Sequence, residues 1–368
     1  MRILFASPYK GNTGGIAQWA ENIVSYYESN RSSSCDLDVL SMNYSLQQNA
    51  GIGKTTIQRV SSGIQTYAKV LNELKRRLAC NAYDILHISS SASISLVKDY
   101  LMIKMAKRHN VRTIIHFHFG RIPQLQQKKN WEWKLLLKVA KMATGVILMD
   151  EASYTTLKSV GLTNIHLIPN PLGSKIREFA DADNTVVRDE QTITFVGHIV
   201  KTKGVFELVE ACKDIPNIKV RLIGPVVDNV KSSLINLSGN ADWLSFVGQI
   251  PIESVIKEMK SCGVFVLPTY TEGFPNVILE SMACGCPIIT TPVGAIPEML
   301  QIHSEQPCGV CVDPQNVSEL RDAIIDFISN PSKAQAYGQL AQERVINTYS
   351  IDTIWSKMEF VWNSVLYL

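Results

Sequence analysis

Two carboxylates, Glu272 and Glu280, stand eight residues apart in a stretch that reads as strand, loop, helix and strand. The apolar run Val264 to Leu267, closed by Pro268, has the pattern of a buried parallel strand. Pro275 and Asn276 open a helix, because proline loses nothing in a first turn whose N–H groups are unpaired anyway. That helix ends near Gly285 and Pro287, and Ile288 to Thr291 resumes as a strand. Glu272 therefore hangs in a loop past a strand tip, and Glu280 sits about one turn inside the helix. The segment between them, Gly273-Phe274-Pro275-Asn276, turns backbone N–H groups toward the same place, which suits an anion. A carboxylate on such a helix can accept both hydrogens of a vicinal diol such as ribose. An exposed helix with ordinary surface glutamates would show the same spacing.

Other residues have the types such chemistry needs. Gly14 and Gly15 lie in a loop between a strand over Arg2 to Ser7 and a helix over Ala17 to Tyr27, where bare backbone can approach a phosphate or a sugar. Tight turns use glycine as readily. His116 and His118 alternate with Phe117 at the end of the strand that begins at Arg112, so both face one side. A lone histidine there would read as core; two before Gly120 point to a site. His198, Lys201 and Lys203 occupy the loop after a strand over Thr192 to Gly197, ahead of a helix over Val205 to Ala211. The segment Gly51-Ile-Gly53-Lys54-Thr55 echoes a phosphate-binding loop, but Gln48 stands where its first glycine belongs, so nucleotide binding is not assigned to it.

The elements that must hold these residues alternate strand and helix along 368 residues, which is longer than one usual core and implies two α/β domains. A polar stretch from Ala180 to Gln191 reads as the link into the second. Hydrophobic content of 46% and charge of 19% describe an ordinary globular chain, and no apolar run is long enough to span a bilayer. Met1 to Ala6 reads as a first strand, too short for a signal-peptide core. The eight cysteines are scattered, with Cys284, Cys286, Cys308 and Cys311 off any standard zinc spacing. Charge divides unevenly. Residues 1–170 carry 21 Lys and Arg against 10 Asp and Glu (net +11), and residues 171–368 carry 15 against 23 (net −8).

The run Glu-Gly-Phe-Pro-Asn-x-x-x-Glu-x-Met-Ala-Cys-Gly-x-Pro over 272–287 resembles the signature of the retaining glycosyltransferases of family 4, which have the GT-B fold. The resemblance implies two Rossmann-like domains facing each other across a cleft: 1–170 with 350–368 on the acceptor side, and 171–349 binding the donor. Ile168-Pro-Asn-Pro171 resembles the family's Ile-Pro-Asn-Gly at the crossing, and the final helix would cross back to the first domain. Carried over residue by residue, Gly14 and Gly15 lie against the donor. His118, or else His116, lines the sugar pocket. Lys203 grips the pyrophosphate, Gly248 to Ile250 meet the base, and Glu280 holds the ribose. Glu272 and His118 contact the donor sugar near the reacting carbon. The family has arginine where this chain has His198, so a permanent bidentate charge is replaced by a titratable one, with Lys201 near to supplement it.

The activity implied is transfer, with retention, from a nucleoside diphosphate sugar such as a UDP-sugar to a glycan or lipid-linked glycan in polysaccharide biosynthesis. Neither a metal nor another cofactor is expected, and no nucleic acid. A nucleotide-sugar epimerase of the same fold and a non-catalytic sugar-binding protein are the rival readings. The positive first half, with basic helices over 69–77, 98–108 and 128–141 and with Trp131 and Trp133 beside lysines, suggests a cytoplasmic protein peripheral on the inner face of an anionic membrane. Lys128 to Ala143 reads as one amphipathic helix, with Lys134, Lys138 and Lys141 on one face.

Overall fold

The computed structural model describes residues 1–10, 14–30, 35–42, 56–182 and 186–367, the side chains of 56–65 excepted. The chain divides into two compact units, Met1–Pro171 with Ile351–Leu368, and Leu172–Ser350.

The first unit begins with β1 (Arg2–Ser7), α1 (Gly15–Ser29), β2 (Asp36–Ser41), α2 (Thr56–Cys80), β3 (Ile85–Ser90) and α3 (Ser95–Arg108). It continues through β4 (Arg112–Phe117), α4 (Ile122–Lys128), α5 (Trp131–Met142), β5 (Gly145–Leu148), α6 (Glu151–Ser159) and β6 (Ile165–Leu167). The strands form one sheet in the order β2-β1-β3-β4-β5-β6, every neighbour parallel. Helices cover both faces, which is why its central strands are buried along almost their whole length. Leu4, Leu86, Ile115 and Phe117 pack on one side with Met102 and Ile103 of α3 and Leu136 and Val139 of α5. Ile3, Phe5, Ile85 and Ile114 pack on the other with Trp19 and Ile23 of α1. The same cluster takes in Ile354, Met358, Trp362 and Val365, so the last helix of the chain completes the first unit's core.

One expected helix is two. At Lys129 the backbone turns left-handed (φ 48°), and Asn130 caps a new helix, its side chain accepting from the N–H of Trp133 at 3.0 Å. The run from Lys128 to Ala143 looked continuous because lysines flank the break and keep the polar face unbroken. The two tryptophans of α5 also part company: Trp133 is buried and Trp131 is 56% exposed.

The second unit comprises α7 (Ser174–Asp181), β7 (Asp189–Val196), α8 (Val205–Cys212), β8 (Lys219–Ile223), α9 (Asp228–Leu237), β9 (Leu244–Gly248) and α10 (Ile252–Ser261). Then come β10 (Cys262–Leu267), α11 (Asn276–Ala283), β11 (Ile288–Thr290), α12 (Ile296–Met299), β12 (Val310–Cys311), α13 (Val317–Ser329) and α14 (Pro331–Tyr349). The closing helix, α15 (Ile351–Leu366), is the one that belongs to the first unit. The polar stretch expected as a link lies inside the second unit. Ala180 is buried at the end of α7, where its carbonyl accepts from Lys260 Nζ at 2.6 Å, and β7 begins at Asp189. Arg188 ties the stretch into that unit, donating to the carbonyls of Met259, Cys262, Cys284 and Gly285.

The second sheet runs β12-β11-β10-β7-β8-β9, again all parallel. The chain lays β8 and β9 to one side of β7 and then returns to place β10 on the other. That reversal makes a switch point between the carboxyl ends of β7 and β10, where open α/β sheets receive ligands. The first sheet reverses in the same way between β1 and β3. Among the described residues, no helix is long and apolar enough to cross a membrane.

Candidate active site

At the switch point of the second unit two loops are stitched together. After β7 a single 3-10 turn, Lys201–Lys203, leads through Gly204 into α8. Gly204 has φ 71°, and a Cβ there would lie 1.9 Å from the carbonyl oxygen of Pro268, so only glycine lets the loops meet. The Thr202 carbonyl accepts from the N–H of Tyr270 at 2.9 Å, and the Tyr270 hydroxyl donates to Glu207 on α8 at 2.5 Å. This stitching places Lys203 Nζ against Glu272 Oε1 in an ion pair, with the lysine side chain 28% and the glutamate side chain 13% exposed. The resemblance assigned the two to different parts of a ligand, and the structure brings them together across 69 residues of sequence.

The loop that carries Glu272 is held from behind. Gly294 (φ 59°) sits where a Cβ would come within 2.5 Å of the Glu272 carbonyl oxygen, and the N–H of Ala295 donates to the Gly273 carbonyl at 2.9 Å. Phe274 is buried, its ring edge-on to Tyr349 with centroids 5.7 Å apart. Pro275 precedes α11 and offers no side-chain cap to its first turn, whose dipole end faces the switch point. Asn276 is the first helical residue and Glu280 lies one turn in, as read from the sequence. Glu280 is half-buried, and the packing around it strips part of the water from its carboxyl. That desolvation raises its pKa to about 7. No hydrogen bond to the carboxyl is found among the described residues.

The remaining candidates of this unit lie on neighbouring tips. His198 is exposed just after β7, its carbonyl accepting from the N–H of Val200 at 3.0 Å, and Lys201 is exposed beside it. Gly248 (φ 81°) ends β9, where its carbonyl accepts from the N–H of Gly224 at 2.8 Å, and Ile250 follows, half-buried.

In the first unit, Gly14 (φ 128°) and Gly15 start α1, and a Cβ at either would meet nothing within 4 Å. Packing within the chain does not demand small residues there. His116 and His118 stack ring on ring with centroids 4.0 Å apart, so they do share a face. Trp19 of α1 lies 4.4 Å from His118 and edge-on to His116 at 4.8 Å. His87 of β3 completes the group and accepts from Trp362 Nε1 through Nδ1 at 3.0 Å. Burial pushes His87 and His118 down to about 3 and His116 well below the ordinary imidazole value, so all three are neutral. Polar atoms gather here without protein partners: His118 Nε2, both nitrogens of His116, Ser7 Oγ, Ser89 Oγ and Trp19 Nε1. Each unpaired buried group costs stability, and chains retain such groups where a site requires them.

Trp19, His87, Tyr270 and Glu207 were not singled out in the sequence. Trp19 falls in a helical stripe with Ala20 and Ile23 that reads as core, and only its position one turn past Gly15 hints otherwise. The chain has two Asp-x-Asp triplets, a pattern that can hold a metal. In the first, Asp38 is taken up by Arg77 at 2.8 Å and by the Tyr83 hydroxyl. In the second, Asp183 lies outside the described residues, as do Gly11 to Thr13 and the segment at Gly51 to Thr55. Among the described residues no group of three or more His, Cys, Asp or Glu is placed to hold a metal ion.

Comparison with known proteins adds an independent line. The sequence model for Glycosyltransferase Family 4 matches residues 13–172, and that for Glycosyl transferases group 1 matches residues 176–344. The capsular polysaccharide biosynthesis glycosyltransferase CapM of Staphylococcus aureus is 31% identical over 193 residues, 49% of this chain and 48% of that protein. The chain thus matches about half the length of this relative. Sucrose-phosphate synthase (tll1590) of Thermosynechococcus elongatus superposes with a TM-score of 0.76 at 20% identity, over 100% of this chain and 99% of the other. Anabaena Alr3699/HepE in complex with UDP-glucose superposes with a TM-score of 0.70 at 17% identity, over 100% of both chains. Those two likenesses bear on the fold. The two sequence models between them account for most of the chain, which belongs to the family 4 glycosyltransferases and has the GT-B fold.

Proposed function

We propose that the protein transfers a sugar from a nucleoside diphosphate sugar, for which UDP-glucose bound to HepE is a precedent, to a glycan or lipid-linked glycan in polysaccharide synthesis. The observation that carries this reading is the Lys203–Glu272 pair at the β7/β10 switch point, beside the uncapped start of α11. Glu280 would hold the ribose, Gly248 and Ile250 the base, and Lys203, His198 and the first turn of α11 the pyrophosphate. Gly14 and Gly15 offer backbone to the donor, and Glu272 and His118 meet its sugar. His118 is neutral, so it serves as a hydrogen-bond partner of a sugar hydroxyl and not as a charged acid.

The transfer itself needs little beyond positioning and charge. The bond from the anomeric carbon to the leaving phosphate breaks, a bond to the acceptor oxygen forms on the same face, and the acceptor's proton passes to the departing phosphate. Preorganised positive charge at the leaving group is the main catalytic contribution of such a site. Lys203 supplies it, released from Glu272 as the diphosphate arrives, and no metal is assigned. The chain is tested by incubating it with a panel of nucleotide sugars and lipid-extract acceptors and reading the product by NMR. An anomeric centre of the donor's own configuration is expected. An inverted centre, or sugar interconversion with no acceptor, would contradict the reading.

A further inference from the structure

Large apolar side chains gather on one exposed face of the first unit. Ile94, Val97 and Leu101 fall at i, i+3 and i+7 along the start of α3, and are 60%, 46% and 38% exposed. Trp131, the first residue of α5, is 56% exposed. The two helix starts are pinned side by side, because Glu132 accepts from the N–H of Ser93 at 2.8 Å and from its hydroxyl at 3.0 Å. Arg121 closes the knot, donating to Glu132 at 2.6 Å and to Ser93 Oγ at 2.8 Å. These four account for four of the nine exposed large apolar side chains among the described residues. Scattered singly such residues need no explanation, but a gathered set marks an interaction surface.

The charge around the patch says what it fits. Lys128, Lys129, Lys134 and Lys138 are exposed near Trp131, and Lys138 Nζ stands 4.6 Å over the ring of Tyr100 on α3. Between residues 94 and 141 the acidic side chains are Asp99 and Glu132. Both are buried and paired, with Lys98 and Arg121. The exposed surface of this segment is therefore positive around an apolar centre that includes a tryptophan. That is the composition of a side that lies in the headgroup layer of an anionic bilayer. Its position is also informative. Ser93 follows the tip of β3, and Arg121 follows His118 by three residues, so the patch lies at the edge of the sheet where the histidine cluster sits.

We propose that Ile94, Val97, Leu101 and Trp131 insert into the headgroup region of an anionic lipid bilayer while the surrounding lysines bind its phosphates. The attachment rests on the reading of a lipid-linked acceptor, which it presents beside His118. It also narrows the sequence-based expectation of Trp131 and Trp133 at the membrane, because Trp133 faces the core and Ile94, Val97 and Leu101 join Trp131 instead.

The test is co-sedimentation of the purified full chain with vesicles of phosphatidylglycerol and phosphatidylcholine, and with vesicles of phosphatidylcholine alone. The wild type is expected to sediment with the first and not the second. Ile94→Ser, Val97→Ser and Trp131→Ser together should lower binding about tenfold. Because all three side chains are exposed, the thermal midpoint and UDP binding should stay unchanged. Tryptophan emission should shift to shorter wavelength on anionic vesicles, and Trp131→Phe should bind without that shift. A wild type that stays in solution, or a triple variant that binds as the wild type does, would overturn the proposal. Transfer to a detergent-solubilised lipid acceptor by a chain that ignores vesicles would remove the attachment and leave the enzymatic reading standing. Vesicle binding with no transfer to any acceptor would support the attachment and count against the enzymatic reading.

Discussion

A carboxyl held partly out of water on the first turns of a helix is costly to the folded chain. The pKa of Glu280 is raised to about 7 in the fold against 4.5 in the unfolded chain, so the fold favours its protonated form. Its burial therefore costs stability above about pH 7, and the cost fades as pH falls toward the unfolded value. Glu280→Gln should stabilise the ligand-free protein by about 2 kcal/mol at pH 8 and by nothing at pH 4.5. The same change should weaken UDP binding by roughly 1–3 kcal/mol, because a charged acceptor is lost from the ribose. Denaturant unfolding at the two pH values and calorimetry with UDP check both halves. A residue kept for structure would lose stability on replacement, and a mere surface glutamate would change neither quantity.

At the scale of elements, the meeting of two loops depends on one missing side chain. Gly204→Ala would place a methyl group on the carbonyl of Pro268 at a left-handed φ, and should cost at least about 3 kcal/mol. A urea titration of the second unit's transition decides this, and a midpoint within error of wild type would show that the loops can part cheaply. The strand, loop and helix over 262–287 were legible in the sequence because their signals are local: an apolar run, a closing proline and a helix-opening proline. The partners of those residues were not. Lys203 meets Glu272 only because the fold reverses between β7 and β10, and no spacing encodes that. Trp19 and His87 sit in apolar stripes, so they read as core, and they are indeed buried. The break at Lys129 was hidden by the lysines around it. Ile94, Val97 and Leu101 were invisible for the converse reason: apolar residues on a helix are assumed to face inward, and these do not.

At the scale of the whole molecule, the two units should answer acid differently. The imidazoles of His87 and His118 take a proton in the fold only near pH 3, and that of His116 still lower, whereas the unfolded chain takes one near 6.5. Falling pH therefore feeds protons to the unfolded state, and stability is lost from about pH 6.5 downward, by up to about 4 kcal/mol per pH unit for three such groups. The first unit, which holds all three, should melt first at pH 5.5, followed by hydrogen exchange of β3 and β4. Equal protection at pH 5.5 and 7.5 would mean that the cluster is hydrated or already charged. The central claim is sugar transfer driven by Lys203, and the most direct measurement is the rate of nucleoside diphosphate release during transfer. Lys203→Ala should lower that rate by roughly 10²–10³, since it removes the charge opposing the leaving group. It also leaves Glu272 unpaired against the diphosphate, so adding Glu272→Gln should recover donor binding but not the rate. A Lys203→Ala protein that releases the diphosphate within about threefold of wild type, well short of the loss expected for a leaving-group contact, would contradict the account.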